Sequence, residues 1–359
     1  EIAKKVKYYN MKKITTLLPL IIAVFILNST NVYAQYSSKK VKSKHEKYTD
    51  SLKQVEYNYK FPIWGQKVYE KGFDIPYPAG LMANYMWMEQ GIDITNMQLG
   101  LKTNNLDIPL TSVDFIQFGD NSNTSYTFNV RPDLWVFPFL NVYGIFGYGN
   151  SHTEVNLIKP LNLQSVVEQN ISTVGVGVMG AGGIGPVWFS VDANFTWNKP
   201  ELLDKATRVN VLGLRIGKTF TFKNKPESNI AVWAGGMHIK MSSETNGQIQ
   251  LSEAIPGFED KTDQIVTDYN DWHDANYDDL TFIQKKVVDD VLDPIVGRID
   301  AADGSAIIRY GMDKQVAQKW NGLVGMQYQY NKRWMLRSEA GLIGDRKSFL
   351  VSLNYRFLM

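Results

Sequence analysis

The sequence predicts an all-β fold, a transmembrane antiparallel up-and-down β-barrel of about 12 strands with a helical acidic insertion. Three observations predict it. An export signal stands near the start, long segments alternate apolar and polar residues, and the last segment places aromatic and aliphatic side chains at every second position.

The export signal comes first. Met11 is followed by Lys12 and Lys13, an apolar run from Leu17 to Leu27, and Val32-Tyr33-Ala34 before Gln35. A charged start, an apolar centre and small residues at positions −3 and −1 are the marks of a secretory signal cleaved after Ala34, so residues 11–34 are expected to be removed. Residues 1–10 then read as upstream read-through or a mis-set start. The apolar run is short of the ~20 residues that a spanning helix needs. Residues 35–79 form an N-terminal segment expected on the periplasmic side, basic and polar at first (Lys39, Lys40, Lys42, Lys44, Lys47), with little apolar surface to bury.

From about residue 80 the pattern changes. Val187, Phe189, Val191, Ala193, Phe195 and Trp197 share one face, opposite Ser190, Asp192, Asn194, Thr196 and Asn198. Leu212, Leu214 and Ile216 likewise oppose Gly213, Arg215 and Gly217, and Trp233, Met237, Ile239 and Met241 oppose Gly236, His238 and Lys240. Strands of soluble domains average about five to six residues, whereas barrel strands that cross a membrane need about 9–11. The predicted spans are 80–89, 92–101, 108–119, 124–136, 139–158, 171–182, 186–198, 206–222, 229–242, 315–330, 333–343 and 347–358. An even count puts both ends on one side, expected to be the periplasm. Residues 102–107, 137–138, 183–185, 223–228 and 331–332 then become periplasmic turns, while 160–170 and the insertion 243–314 become outer loops.

The closing strand carries Phe349, Val351, Leu353, Tyr355 and Phe357 on one face. It resembles the C-terminal insertion signal of Gram-negative outer-membrane barrels, although Leu358 and Met359 follow the aromatic that usually ends it. The signal ending Tyr33-Ala34-Gln35 is similar to Bacteroidetes-type exports, and the stretch Pro138 to Tyr148 resembles a hairpin strand of uncharacterised exported barrels. The resemblance implies outer-membrane lipid and the barrel-assembly machinery as partners, and it carries no activity.

Composition limits the function classes. Among 359 residues, 38 basic and 36 acidic side chains leave a net charge of +2, which gives no reason to expect a nucleic-acid partner, and the absence of cysteine removes thiolate chemistry. Gly175, Gly177 and Gly180 spell G-x-G-x-x-G, but they alternate with valines inside a strand and lack the helix that a nucleotide site needs. They are expected to be small lumen-facing residues beside a bend at Gly180 to Gly185. The four histidines, His45, His152, His238 and His273, show no i, i+4 zinc spacing. No cofactor, metal or enzymatic activity is expected. The lumen is expected to be lined by Asp192, Arg215, His238, Lys240, Arg337 and Glu339, a mixed set that could filter small polar solutes by charge and hydrogen bonding.

Residues 244–303 stand apart, with fifteen acids against four bases, a charge of −11 that leaves +13 on the remainder. Leu280, Ile283, Val287, Val288, Val291 and Leu292 form a helical stripe ahead of Pro294, so one or two helices are expected at the barrel mouth. Asp268, Asp271, Asp274, Asp278 and Asp279 form an acidic cluster without the glycine or spacing of an EF-hand. Two functions fit these features: a passive channel for small polar solutes partly occluded by the acidic loop, or a non-conducting barrel serving as adhesin, receptor or anchor.

Overall fold

The computed structural model describes residues 44–358 except 161, 185–186, 204 and 242–243, and leaves the side chains of 244 and 245 undescribed. The expected upstream residues and signal, 1–34, lie outside the described residues. Ten long strands form the wall: β1 (Ala79–Lys102), β4 (Asn121–Phe137), β5 (Leu140–Lys159), β6 (Leu163–Ile184), β7 (Val187–Pro200), β8 (Thr207–Phe222), β9 (Lys225–Met241), β12 (Trp320–Gln329), β13 (Trp334–Ile343) and β14 (Lys347–Phe357). Each pairs antiparallel with the next, and β14 returns to β1 from Ala79↔Phe357 to Glu89↔Lys347. The sheet therefore has no free edge across the hydrocarbon layer, which is the condition lipid imposes.

The wall has ten strands because two expected strands merge and one lies elsewhere. Residues 80–89 and 92–101 are one strand, with no turn at Gly91. The Gly91 N–H donates to Asp345 Oδ2 at 2.7 Å, and its carbonyl accepts the Ala317 N–H at 3.0 Å, so the backbone is satisfied straight through. Gly91 marks a change of partner. Below it β1 lies between β14 and β4; above it β1 pairs with β11 (Ile307–Val316) and β2 (Asp107–Ser112). The expected span 108–119 is accordingly β2 and the short β3 (Gln117–Phe118), both outside the barrel, and residues 102–107 connect strands above the far rim instead of forming a periplasmic turn. The expected span 315–330 holds the last two residues of β11, which is outside the wall, and then β12, which is in it, while the rest of β11 falls in the expected loop. The expected outer loop 160–170 is largely the extended start of β6.

Alternation along the wall separates two surfaces. Outward residues are exposed and apolar, among them Phe128, Phe146, Val174, Phe189, Val191, Ile216 and Leu336. Aromatic residues ring both margins of this band: Trp334, Tyr355, Tyr330 and Phe222 towards the chain-end rim, and Tyr126, Tyr148, Trp197 and Trp320 towards the far rim. Two aromatic girdles around an apolar belt are what a bilayer requires of a barrel surface. The expected insertion residues Phe349, Val351, Leu353, Tyr355 and Phe357 all lie on this outward face, while Ser352, Asn354 and Arg356 between them are buried.

At the chain-end rim, α1 (Lys44–Leu52) and α2 (Gly65–Glu70) pack on the turns. The Ile63 N–H donates to the Val136 carbonyl at 2.8 Å, and Lys332 pairs with Asp74 at 2.8 Å.

The far rim carries a cap. β10 (Glu244–Gln250) pairs with β11, and from it run α3 (Leu251–Ala254), α4 (Phe258–Asn276) and a helical stretch composed of α5 (Phe282–Val287), a π-turn over Val288–Leu292 and α6 (Asp293–Asp300). Pro294 does not end the helix. The π-turn just before it and its place in the first turn of the next segment, where its missing N–H is not needed, let the helix continue. The cap has its own apolar core, in which Ile255, Ile265, Val288, Val291, Leu292 and Ile299 pack against Met97, Leu99 and Leu101 of upper β1. Of the expected stripe, Ile283 is exposed, as is its neighbour Phe282.

Candidate functional site in the barrel lumen

The lumen is built in layers. Nearest the chain ends, Arg356 of β14 donates to the Tyr77 carbonyl at 2.6 Å, to the Pro78 carbonyl at 2.9 Å and to Asp133 Oδ1 at 3.0 Å. Asn141 donates to the same carboxylate at 2.8 Å. These side chains are almost wholly buried, so this layer is a filled floor.

About halfway up lies a charged layer centred on Glu339. Its carboxylate accepts from Arg215 Nε at 2.7 Å and Nη2 at 2.9 Å, from Arg337 Nη2 at 2.9 Å and from Trp233 Nε1 at 2.9 Å. The bidentate guanidinium spans both oxygens, and the two further donors converge with it on Oε2, so this oxygen takes three of the four bonds. Arg215 also binds Asp192, whose second oxygen accepts from Asn194 Nδ2 at 3.1 Å. The chain of contacts continues through the Tyr143 hydroxyl, 2.7 Å from Asn194 Oδ1, to Arg131, whose guanidinium lies 3.6 Å over the Tyr143 ring. Strands β4, β5, β7, β8, β9 and β13 are thereby linked across the interior. Glycines make room for the large rings: a Cβ at Gly177 would stand 2.2 Å from the Tyr143 ring, and one at Gly325 would stand 2.4 Å from Trp233. This accounts for Gly177, whereas a Cβ at Gly180, on the face of Val174, Val176 and Val178, would meet nothing closer than 4.0 Å.

Above the charged layer is a cavity of about 540 Å³. Its lower wall is polar, with Asn84, Asn129, Thr173 and Thr196. Its upper wall is apolar, with Ile94, Met241 and Met312 from the strands and Ile255, Ile295 and Ile299 from the underside of the cap.

Of the expected lumen residues, Asp192, Arg215, Arg337 and Glu339 come together in the charged layer. His238 and Lys240 do not line the lumen. In β9 the inward residues are Trp233, Met237, Ile239 and Met241, and Lys240 is exposed on the other face, where His238 lies 5.1 Å from the Trp320 ring. Alternation tells which residues share a face but not which face turns inward. At this height the cavity wall is apolar and β9 is leaving the lipid band, so the usual sense is reversed. Of the acidic cluster, Asp271, Asp274, Asp278 and Asp279 are exposed on the cap, and Asp268 is half-buried. Among the described residues no group of three or more acids or histidines is placed to hold a metal ion.

Sequence reasoning missed Arg131, Tyr143, Trp233 and Lys314. Arg131, set between Val130 and Pro132 in an otherwise apolar and polar alternation, carried a signal. Lys314 did not, because residues 307–314 read as loop.

No protein-family model and no curated protein matches the sequence. Among solved structures, the chain is similar to the β-domain of the Bordetella autotransporter BrkA, with 9% identity over 78% of this chain and 100% of that one and a TM-score of 0.36. It is also similar to the outer-membrane protein OprG of Pseudomonas aeruginosa, with 8% identity over 79% and 98% and a TM-score of 0.31. A third likeness is to the monoaromatic hydrocarbon channel CymD, with 8% identity over 87% and 97% and a TM-score of 0.29. The closed wall and its aromatic girdles identify the chain as a multi-pass Gram-negative outer-membrane β-barrel.

Proposed function

We propose that this barrel is a passage for small solutes, closed in the present conformation by the charged layer of its lumen. The observation that carries this reading is the 540 Å³ cavity running from that layer to the underside of the cap. A ten-stranded barrel is wider than the eight-stranded kind that side chains fill, so space above the layer is expected, and rearranging a few charged side chains could open the way below. The reading is non-catalytic. Its partners would be outer-membrane lipid around the apolar belt, the barrel-assembly machinery at the outward residues of β14, and a small solute with polar groups that the lower wall can meet.

Planar-bilayer recording tests this. Wild-type protein should show small or rare conductance steps, and deletion of residues 251–303 or a double change Asp192→Asn and Glu339→Gln should give larger and more frequent ones. Silence from all three proteins would overturn the passage.

A second reading, a non-conducting barrel that displays the cap to a partner, is favoured by the cap's separate apolar core and by exposed Phe282 and Ile283. It predicts silent bilayers and a binding activity lost with the cap.

A further inference from the structure

The cavity is unusual in its charge. Among the described residues, the ionised side chains that line it are four cations, Arg131, Arg215, Arg337 and Lys314, and two carboxylates, Asp192 and Glu339. Both carboxylates and two of the guanidiniums are used up in the charged layer, and Arg131 is stacked on Tyr143. Lys314 is different. It lies on β11, opposite Ile94 of upper β1, on the same strand face as Met312 and Val316, which also line the cavity. Among the described residues no hydrogen bond or ion pair engages its ammonium, and burial is the one influence on it. An isolated ammonium among isoleucine, methionine and leucine side chains is costly, and such groups in proteins are normally paired.

We infer that the cavity binds an amphiphilic carboxylate, a straight-chain fatty acid, with its hydrocarbon chain along the apolar upper wall and its carboxylate on Lys314. The chemistry matches part by part. A volume of about 540 Å³ lies within the range of ligand pockets, roughly 300–1,000 Å³. The apolar wall gains from hydrocarbon at roughly 0.8 kcal/mol per buried CH₂, and one carboxylate supplies the missing counter-charge. Burial draws the Lys314 ammonium down to about 8, and a bound carboxylate would reverse that. The acids of the cap do not forbid an anion, since the exposed ones face outward and charges are screened over about 8 Å at physiological salt.

This inference rests on the passage reading only for how the ligand arrives, so its test reads binding and not conduction. Wild-type protein in phospholipid nanodiscs is titrated with [1-¹³C]dodecanoate, dodecanol and dodecylamine, and binding to empty nanodiscs is subtracted. Saturable dodecanoate binding is expected, at least tenfold tighter than dodecanol and with a shifted carboxyl resonance. Lys314→Met should weaken dodecanoate at least tenfold while leaving dodecanol unchanged, and Lys314→Arg should stay within threefold of wild type. The retained compact form on unheated gels reports that each variant is folded. Because phospholipid is in excess throughout, specific binding distinguishes the free acid from the acyl chains of membrane lipid. Equal affinity for dodecanoate and dodecanol, no effect of Lys314→Met in a folded protein, or no binding above empty nanodiscs would each overturn the site. Intact binding with silent bilayers would instead overturn the passage.

Discussion

Glu339 accepts hydrogen bonds from three side chains on three strands, which makes it the hub of the charged layer. Glu339→Ala leaves Arg215 and Arg337 with one carboxylate between them, and removing one partner of a buried ion network typically costs about 3–5 kcal/mol. The midpoint of the heat-induced gel shift should fall accordingly, and it should fall far less in Arg208→Ala at the exposed end of β8. Gly177→Ala drives a methyl into the Tyr143 ring and should cost about 1–3 kcal/mol by the same assay. Lys314 acts in the opposite sense. Its folded-state value of about 8 lies below the 10.5 of a free lysine, so its charged form penalises folding fully below pH 8, and the penalty fades as pH rises to 10.5. Lys314→Met should therefore stabilise the protein at pH 7 and lose that advantage above about pH 10.5. Much of the central layer was legible in the sequence, because Asp192, Arg215, Arg337 and Glu339 each interrupt an alternating strand. Lys314 was not, since its flanking residues Ile307, Ile308, Tyr310 and Met312 became a strand only by pairing with the upper part of β1.

At the scale of elements, alternation was enough to find nine of the wall strands in place, and it failed where an element changed its company. β1 reads as two strands because Gly91 looks like a turn, yet its hydrogen bonds are met by residues more than 200 positions away. Such non-local satisfaction leaves no mark in a local pattern. The β5–β6 hairpin rises past the lipid band, and there His152 sits between Glu154 at 3.1 Å and Glu168 at 3.0 Å. These hydrogen bonds, to Glu168 first and Glu154 second, raise its pKa above 6.5. The raised value means that the contacts stabilise the fold below about pH 6.5 and cease to do so as pH climbs through the folded-state value. An NMR titration should place the His152 imidazole above 6.5, and Glu168→Gln should bring it back down. The helices of the cap are separable in a way that no wall strand is. Deletion of residues 251–303 should leave the compact barrel form on unheated gels while uncovering Met97, Leu99 and Leu101, seen as new binding of an apolar dye.

For the molecule as a whole, charge is divided by region: −11 on residues 244–303 and +13 on the rest. The acids lie largely on the outside of the cap, while the described lumen below carries more cations than carboxylates, so a solute taking the proposed passage would meet one sign and then the other. Salt should alter the entry of charged solutes, an effect of the screened outer acids, far more than it alters binding within the cavity. The continuity of β1 has a consequence for how such a molecule is made. β1 contributes the seam that joins both ends of the barrel and also the strand on which the cap's sheet is built. The earliest wall strand in the chain thus has its pairing completed by the latest, β14. Register runs unbroken through Gly91 as far as Thr95, where a bulge shifts it, so deleting one residue near Gln90 would turn Ile92 and Ile94 away from the cavity and leave the lower seam untouched. Assembly and cap are kept in phase by a single strand.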